Sequence, residues 1–363
     1  MTPLRIVIAG GGTGGHLYPG IAVARELLSR HPDAVITFAG TARGIESRVV
    51  PREGFQLDLI RSSGLKGTSP RALLRGIALL PLSGLDARRI LSRRRPQLVI
   101  GVGGYSSGPV VAAAAARRIP TLLLEQNAVP GFTNRTLARV VSAAAVTFES
   151  TVGYFGRRGF VAGNPVRPEF FNNDGIDIDT AASTPPGVLI FGGSQGSHAI
   201  NMAMVEAAPR LATSDGRLAI THQTGELDLE LVRNAYQRAG IDARVEPFLF
   251  SMDREIRAAA LVVCRAGATT LAELTAAGRP SLLIPLPTAA DDHQRRNAEV
   301  LRDAGAAEVL AQRDVTGELL AARIVALVAD KRKLEAMSTA ARTLAKPDAA
   351  KLIVNKALEL VNG

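Results

Sequence analysis

Leu4-Arg5-Ile6-Val7-Ile8-Ala9-Gly10-Gly11-Gly12-Thr13-Gly14-Gly15-His16 decides the fold. A short apolar, β-branched run passes straight into glycines, and a helical pattern over Pro19–Arg30 follows. Strand, glycine turn and helix in that order open an α/β domain, and no signal peptide is expected from this run. The unit recurs along the chain. Strands are expected at Arg5–Ala9, Val35–Ala39, Gln97–Ile100, Thr121–Leu124 and Ala144–Phe148, then at Val188–Phe191, Leu218–His222, Arg244–Pro247, Leu261–Cys264 and Ser281–Ile284. Helices are expected at Pro19–Arg30, Ser107–Arg118, Ala199–Leu211, Thr269–Ala277 and Asp291–Ala304. Strands alternating with helices of this length make right-handed βαβ units around a parallel sheet. Two such series imply two doubly wound, Rossmann-like domains. The turn chemistry of Gly163-Asn164-Pro165-Val166-Arg167-Pro168 and the polar stretch from Asn172 to Pro186 separate them. The expected domains are 1–163 and 164–345, with a final helix in 346–363, after the breaker Pro347, returning to the first domain.

Composition narrows the function classes. The 363 residues carry a net charge of +10, with aromatics at 4% and no tryptophan. A basic balance serves nucleic acid, anionic lipid or phosphorylated substrates. No nucleic-acid-binding signature is present and base-stacking platforms are few, so nucleic acid is not expected as a partner. The single cysteine, Cys264, rules out an internal disulfide framework and suits a reducing compartment. No apolar run approaches the roughly 18 residues that span a bilayer. A soluble or peripheral protein is the expectation.

Three glycine-rich turns each follow a strand and precede a helix: Gly10 to His16, Gly101-Val102-Gly103-Gly104-Tyr105-Ser106-Ser107-Gly108, and Gly192-Gly193-Ser194-Gln195-Gly196-Ser197. Glycine lets the backbone approach a ligand, and a helix N-terminus presents unpaired amides to anionic oxygen. Three turns at the carboxyl ends of strands, in two domains, mark the ligand edge of doubly wound sheets. Gly10, Gly12 and Gly15 also satisfy the dinucleotide motif G-x-G-x-x-G. That motif wants an acid at the end of the second strand, where Phe38-Ala39-Gly40-Thr41 has none, although Arg43 suits a 2′-phosphate.

The motif text around the glycines resembles one family over nearly the whole chain. Gly-Gly-Thr-Gly-Gly-His with Pro19-Gly20, Gly-Gly-Tyr-Ser-Ser-Gly-Pro, Glu125-Gln126-Asn127, Gly163-Asn164-Pro165-Val166-Arg167, Gly-Gly-Ser-Gln-Gly and Cys264-Arg265-Ala266-Gly267-Ala268-Thr269-Thr270 carry the resemblance. The family is that of the peptidoglycan N-acetylglucosaminyltransferases that convert lipid I to lipid II. The resemblance implies GT-B architecture, two Rossmann-like domains facing a cleft. It implies UDP-N-acetylglucosamine as donor and undecaprenyl-pyrophosphoryl-N-acetylmuramyl-pentapeptide as acceptor, with inversion at the anomeric carbon and attack by the muramyl 4-hydroxyl. No metal or other cofactor is implied; Asp177-Ile178-Asp179, the sole Asp-x-Asp, lies in the polar segment. A peripheral position on the cytoplasmic membrane face follows, with other cell-wall and division proteins as partners. A diacylglycerol glycosyltransferase, a UDP-sugar epimerase and a non-catalytic nucleotide-sugar-binding subunit are the competing readings.

By the same resemblance the second domain holds the nucleotide. Ser194 and Gln195 sit against the diphosphate, and Leu249 lies beside uracil. Ala268, Thr269, Thr270, Leu271 and Ala272 open a helix toward the diphosphate, and Glu273 accepts from the ribose diol. Gln294 reads sugar hydroxyls with Asn297 nearby; the family often has Gln-Gln there, so His293 is a departure. Arg167 meets charge developing on UDP. Thr13, Gly14, Gly15 and Asn127 belong to the transfer site. Two residues compete as the base that takes the acceptor proton. His16 titrates near neutrality at a helix start, and Glu125 ends a buried strand. Arg71-Ala72-Leu73-Leu74-Arg75-Gly76-Ile77-Ala78-Leu79-Leu80-Pro81-Leu82, followed by Arg88, Arg89, Arg93, Arg94 and Arg95, reads as an interfacial element on an anionic membrane surface.

Overall fold

The structure, a computed structural model, describes residues 3–62, 70–171, 185–193, 195–213 and 218–363, with the side chains of 70–78 left aside. The chain divides into two compact units. Met1–Val166 and Lys346–Gly363 form the first, and Arg167–Ala345 forms the second.

Unit 1 alternates strands and helices: β1 (Arg5–Gly10), α1 (Gly14–Arg30), β2 (Val35–Gly40), α2 (Glu46–Arg52), β3 (Gln56–Leu59), α3 (Pro70–Arg94), β4 (Leu98–Gly103), α4 (Ser107–Ala116), β5 (Thr121–Glu125), α5 (Phe132–Leu137), β6 (Ala143–Val146), α6 (Glu149–Val152) and β7 (Gly159–Val161). Its seven strands are parallel in the order β3-β2-β1-β4-β5-β6-β7. The strand order reverses at β1/β4, and the turns after those two strands therefore stand side by side. Alternation along β1 explains the layering: Ile6 and Ile8 face one core with Leu17, Ile21 and Leu27 of α1, while Val7 and Ala9 face the other with Ile90 and Leu91 of α3 and Val110 of α4.

Unit 2 repeats the plan with β8 (Gly187–Phe191), α7 (His198–Ala212), β9 (Ala219–Gln223), α8 (Leu229–Ala239), β10 (Ala243–Glu246), α9 (Met252–Ala258), β11 (Leu261–Cys264), α10 (Ala268–Ala276), β12 (Ser281–Leu283), α11 (His293–Asp303), β13 (Ala307–Val309), α12 (Gly317–Ala329) and α13 (Lys331–Leu344). Its six strands are parallel in the order β10-β9-β8-β11-β12-β13, reversing at β8/β11. The last helix, α14 (Ala349–Asn362), belongs to unit 1, where Ile353, Val354 and Ala357 join the core under α1.

Two local expectations need correction. Helix α1 begins at Gly14, so Pro19 lies inside it and does not open it, giving up one backbone donor. Helix α11 begins at His293, because Asp291 and Asp292 adopt left-handed backbone angles that interrupt a helix there. Among the described residues no helix is long and apolar enough to cross a membrane.

Candidate functional site

In unit 1 the candidate residues gather at the switch between β1 and β4. His16 lies in the first turn of α1, at the edge of the second glycine turn. A Cβ on Gly103, whose φ is +97°, would stand 2.8 Å from His16 Nδ1, so only glycine lets the imidazole lie on that backbone. Gln126 sets the tautomer. Its Nε2 donates to the Val102 carbonyl at 3.1 Å, which turns its oxygen toward His16 Nδ1, also at 3.1 Å. The proton belongs on Nδ1, and Nε2 is the basic nitrogen of the ring. The motif gives Gln126 no role by itself; its position one residue beyond the end of β5 is the available signal.

Glu125 is placed differently. It is 3% exposed, and four donors from the following loop and the start of α5 converge on it. Oε1 accepts from the Asn127 amide (3.0 Å) and the Asn127 side chain (3.3 Å). Oε2 accepts from the Gly131 amide (3.0 Å) and Asn134 Nδ2 (2.9 Å). Burial holds the carboxyl above its usual range, and these donors offset only part of that rise. Such a carboxylate ties the loop after β5 and fixes Asn127 within it. Thr13 is exposed at the N-cap of α1, and Gly14 and Gly15 open the helix behind it.

The missing acid at the end of β2 is supplied from α2. Glu46, fully buried, accepts from the Thr41 amide (2.8 Å), the Thr41 hydroxyl (2.9 Å) and the Gly12 amide (2.8 Å). The Gly12 amide, one of the donors a pyrophosphate would use in a dinucleotide fold, is thereby engaged. Sequence reasoning passed over Glu46 because it sought the acid on the strand.

In unit 2 the third turn is held by Gln223, whose Nε2 donates to Gly193 O at 2.8 Å. Gln195 is exposed there, and Ser194 lies outside the described residues. The buried Arg265 guanidinium underlies this turn, donating to Ser197 Oγ and Gln312 Oε1 (both 2.7 Å) and to Ile284 O at 2.9 Å. Helix α10 opens at Ala268 behind the N-cap Gly267, with Thr269, Thr270 and Ala272 partly exposed and Leu271 turned into the core. Glu273 follows in the second turn. Burial pushes its carboxyl up to about 7, with Arg167 pulling it down and Asp253 pushing it up. Among the described residues no donor reaches its oxygens. The exposed Arg167 itself rests over the Phe170 ring, 5.2 Å from its centroid.

Gln294 presents a defined face. Its Oε1 accepts from the amides of Ala266 (3.2 Å) and Leu286 (3.0 Å), leaving the NH2 as the group that can meet a ligand. Asn297 is fully buried and donates to Ala266 O at 3.3 Å, which makes it a support for that strand end. His293 is occupied locally, with Nδ1 on Ala290 O at 2.7 Å. Leu249 buries its side chain at 3% exposure, between Phe248 and Phe250, whose rings meet edge to face at 5.1 Å. Phe250 is 89% exposed, an aromatic platform that the sequence reading missed.

The expected interfacial element is part helix α3. The side chains of Arg71–Leu74 and Arg75–Ala78 lie outside the described residues. Beyond them Leu80, Leu82 and Leu85 are exposed, as are Arg88, Arg89 and Arg95. Arg93 and Arg94 both pair with the buried Asp58, Arg94 through Nε (2.7 Å) and Nη2 (2.9 Å), while the Arg93 side chain stays exposed. Asp177 and Asp179 lie outside the described residues.

Residues 6–146 match the glycosyltransferase family 28 N-terminal domain, and residues 187–353 match the glycosyltransferase family 28 C-terminal domain. The chain is 48% identical to a UDP-N-acetylglucosamine--N-acetylmuramyl-(pentapeptide) pyrophosphoryl-undecaprenol N-acetylglucosamine transferase from Anaeromyxobacter sp. (strain K), over 99% of this chain and 93% of that one. A transferase of the same name from Pelobacter propionicus is 47% identical, over 99% of this chain and all of that one. The crystal structure of Acinetobacter baumannii MurG superposes with a TM-score of 0.81 at 30% identity, covering 98% of this chain and 100% of that one. The two parallel-sheet Rossmann-like units, the glycine turns at their switch points and these likenesses agree. The chain belongs to glycosyltransferase family 28, among its pyrophosphoryl-undecaprenol N-acetylglucosamine transferases.

Proposed function

We infer that the chain transfers N-acetylglucosamine from UDP-N-acetylglucosamine to lipid I, forming lipid II. The observation that carries this is the 48% identity over 99% of the chain to a transferase named for that reaction. The finer assignments rest on the site. Unit 1 takes the acceptor: His16 Nε2 removes the proton from the muramyl 4-hydroxyl as that oxygen attacks the anomeric carbon, and the configuration inverts. Gln126 keeps the ring in the tautomer this needs. Glu125 acts through the loop that carries Asn127, with both oxygens engaged by its donors. Unit 2 takes the donor: the α10 N-terminus and Arg167 meet the charge that develops on UDP. Glu273 accepts from the ribose hydroxyls, Gln294 donates to the sugar, and Leu249 with its flanking phenylalanines receives the uracil.

The exposed Leu80, Leu82 and Leu85, with Arg88 and Arg89 on the same helix, support docking of α3 on the anionic cytoplasmic face of the membrane. A lipid-linked acceptor makes that contact useful.

Purified protein incubated with labelled UDP-N-acetylglucosamine and a lipid I analogue is the direct test. Label in the lipid I product is expected. Transfer to diacylglycerol with none to lipid I would replace this reading by a glycolipid synthase.

A further inference from the structure

We propose that Glu46 is a positioning residue for transfer: a built-in anion that fills the slot at the first glycine turn and fixes the start of the helix carrying His16. The inference rests on the transfer reading for its kinetic test and stands apart from it in a second measurement.

The carboxylate is fully buried, and uncharged donors satisfy it: the Thr41 amide, the Thr41 hydroxyl and the Gly12 amide, all within 2.9 Å. An unpaired buried carboxylate is costly, and amides converging on it offset that cost. Thr41 is itself held, accepting from the Gly44 amide at 3.2 Å. Space around the carboxylate is provided by glycine. A Cβ on Gly11, Gly40 or Gly44 would collide with the Glu46 side chain. Gly40 and Gly44 thus make room for Glu46, and Gly11 does so as well, although its φ of +144° also requires glycine.

The consequence reaches His16 through a short path. Gly12 precedes Thr13, the N-cap of α1, and the Thr13 carbonyl accepts from the amides of His16 (3.3 Å) and Leu17 (3.2 Å). Glu46 thus anchors the turn from beneath, while Gly103 and Gln126 fix the imidazole from the side. The carboxylate also stands where a phosphate would favour the helix N-terminus, so negative charge is supplied before any substrate arrives. The Gly12 amide is taken, and a substrate phosphate must use other donors.

Glu46→Gln keeps the volume and loses the charge and one acceptor. Its kcat for the lipid I analogue is expected to fall on the order of 10²-fold, the cost of a misplacement of about 1 Å at a reacting group. Its KM for UDP-N-acetylglucosamine, which unit 2 holds, is expected to stay within about twofold of the parent, a small difference in free energy. In Glu46→Gly, added formate is expected to restore turnover saturably by reoccupying the slot. Hydrogen exchange at the Gly12 amide, which needs no turnover, is expected to accelerate in Glu46→Gln. Protected Gly12 in that variant overturns the anchoring, whatever reaction the protein catalyses. Undiminished kcat, or a loss carried wholly by donor KM, overturns the positioning role. A folded Glu46→Gly that formate does not restore overturns the built-in anion.

Discussion

Glu273→Gln is expected to stabilise unit 2 above neutral pH while weakening donor binding. Burial holds the Glu273 carboxyl at about 7, against an ordinary 4.5. A carboxyl held above its unfolded value binds its proton more tightly in the folded state across that window. Stability therefore falls as pH rises from 4.5 to 7 and stays reduced above it. The full displacement corresponds to about 3 kcal/mol, and partial exposure makes that a ceiling, with about 1–2 kcal/mol as the working figure. Glutamine carries no charge to bury. Its melting temperature at pH 8 should exceed that of the parent by several degrees, at roughly 2–4 °C per kcal/mol. At pH 4, where the parent carboxyl is mostly neutral in either state, the gap should nearly close. The same substitution removes a charged acceptor from the ribose hydroxyls, worth about 1.5–3 kcal/mol, so donor KM should rise on the order of 10- to 100-fold. Calorimetry at the two pH values and donor kinetics at pH 8 are the assays. A melting gap that does not change with pH refutes the buried-charge argument, and unchanged donor KM refutes the ribose assignment.

Other substitutions separate the remaining roles. His16→Ala should lower kcat by roughly 10²- to 10⁴-fold, the usual contribution of a general base, with donor KM unchanged in steady-state kinetics. Glu125→Gln places an amide against donors already in place; unfolding in denaturant should show a loss of about 1–3 kcal/mol. A melt unchanged from the parent would return Glu125 to contention as the base. Replacing Leu80, Leu82 and Leu85 by serine should abolish sedimentation with anionic vesicles while turnover on a water-soluble acceptor persists; retained sedimentation would move the docking surface elsewhere.

Most of both sheets was legible because central parallel strands are buried on two faces and read as unbroken apolar runs such as Ile6–Ala9 and Leu261–Cys264. The strands that escaped notice are β3, β7 and β13, each at an edge. An edge strand needs less apolar sequence: β3 is Gln56-Leu57-Asp58-Leu59, and its Asp58 serves Arg93 and Arg94 from the end of α3. The glycine turns were found, yet their glycines do different work. Gly103 makes room for the His16 ring, whereas Gly11, Gly40 and Gly44 make room for Glu46. A motif records that glycine is required and is silent about which neighbour requires it.

The three carboxylates of these sites show what sequence could not rank. Glu125 and Glu273 were legible as acids near a strand end or helix start, Glu46 was passed over, and all three have limited exposure. They differ in who donates to them. Gly12 and Thr41 satisfy Glu46, and Asn127, Gly131 and Asn134 satisfy Glu125, so each ties its own stretch of chain. Glu273 has Arg167 at a distance and no donor among the described residues, which leaves it with a carboxyl near 7 and acceptor capacity unused. A buried acid lacking donors costs the folded state free energy, and a ligand that brings hydroxyls recovers part of it on binding. By that criterion Glu46 and Glu125 are committed to the chain they tie, and the unused acceptors of Glu273 are what support the proposal that it meets the ribose.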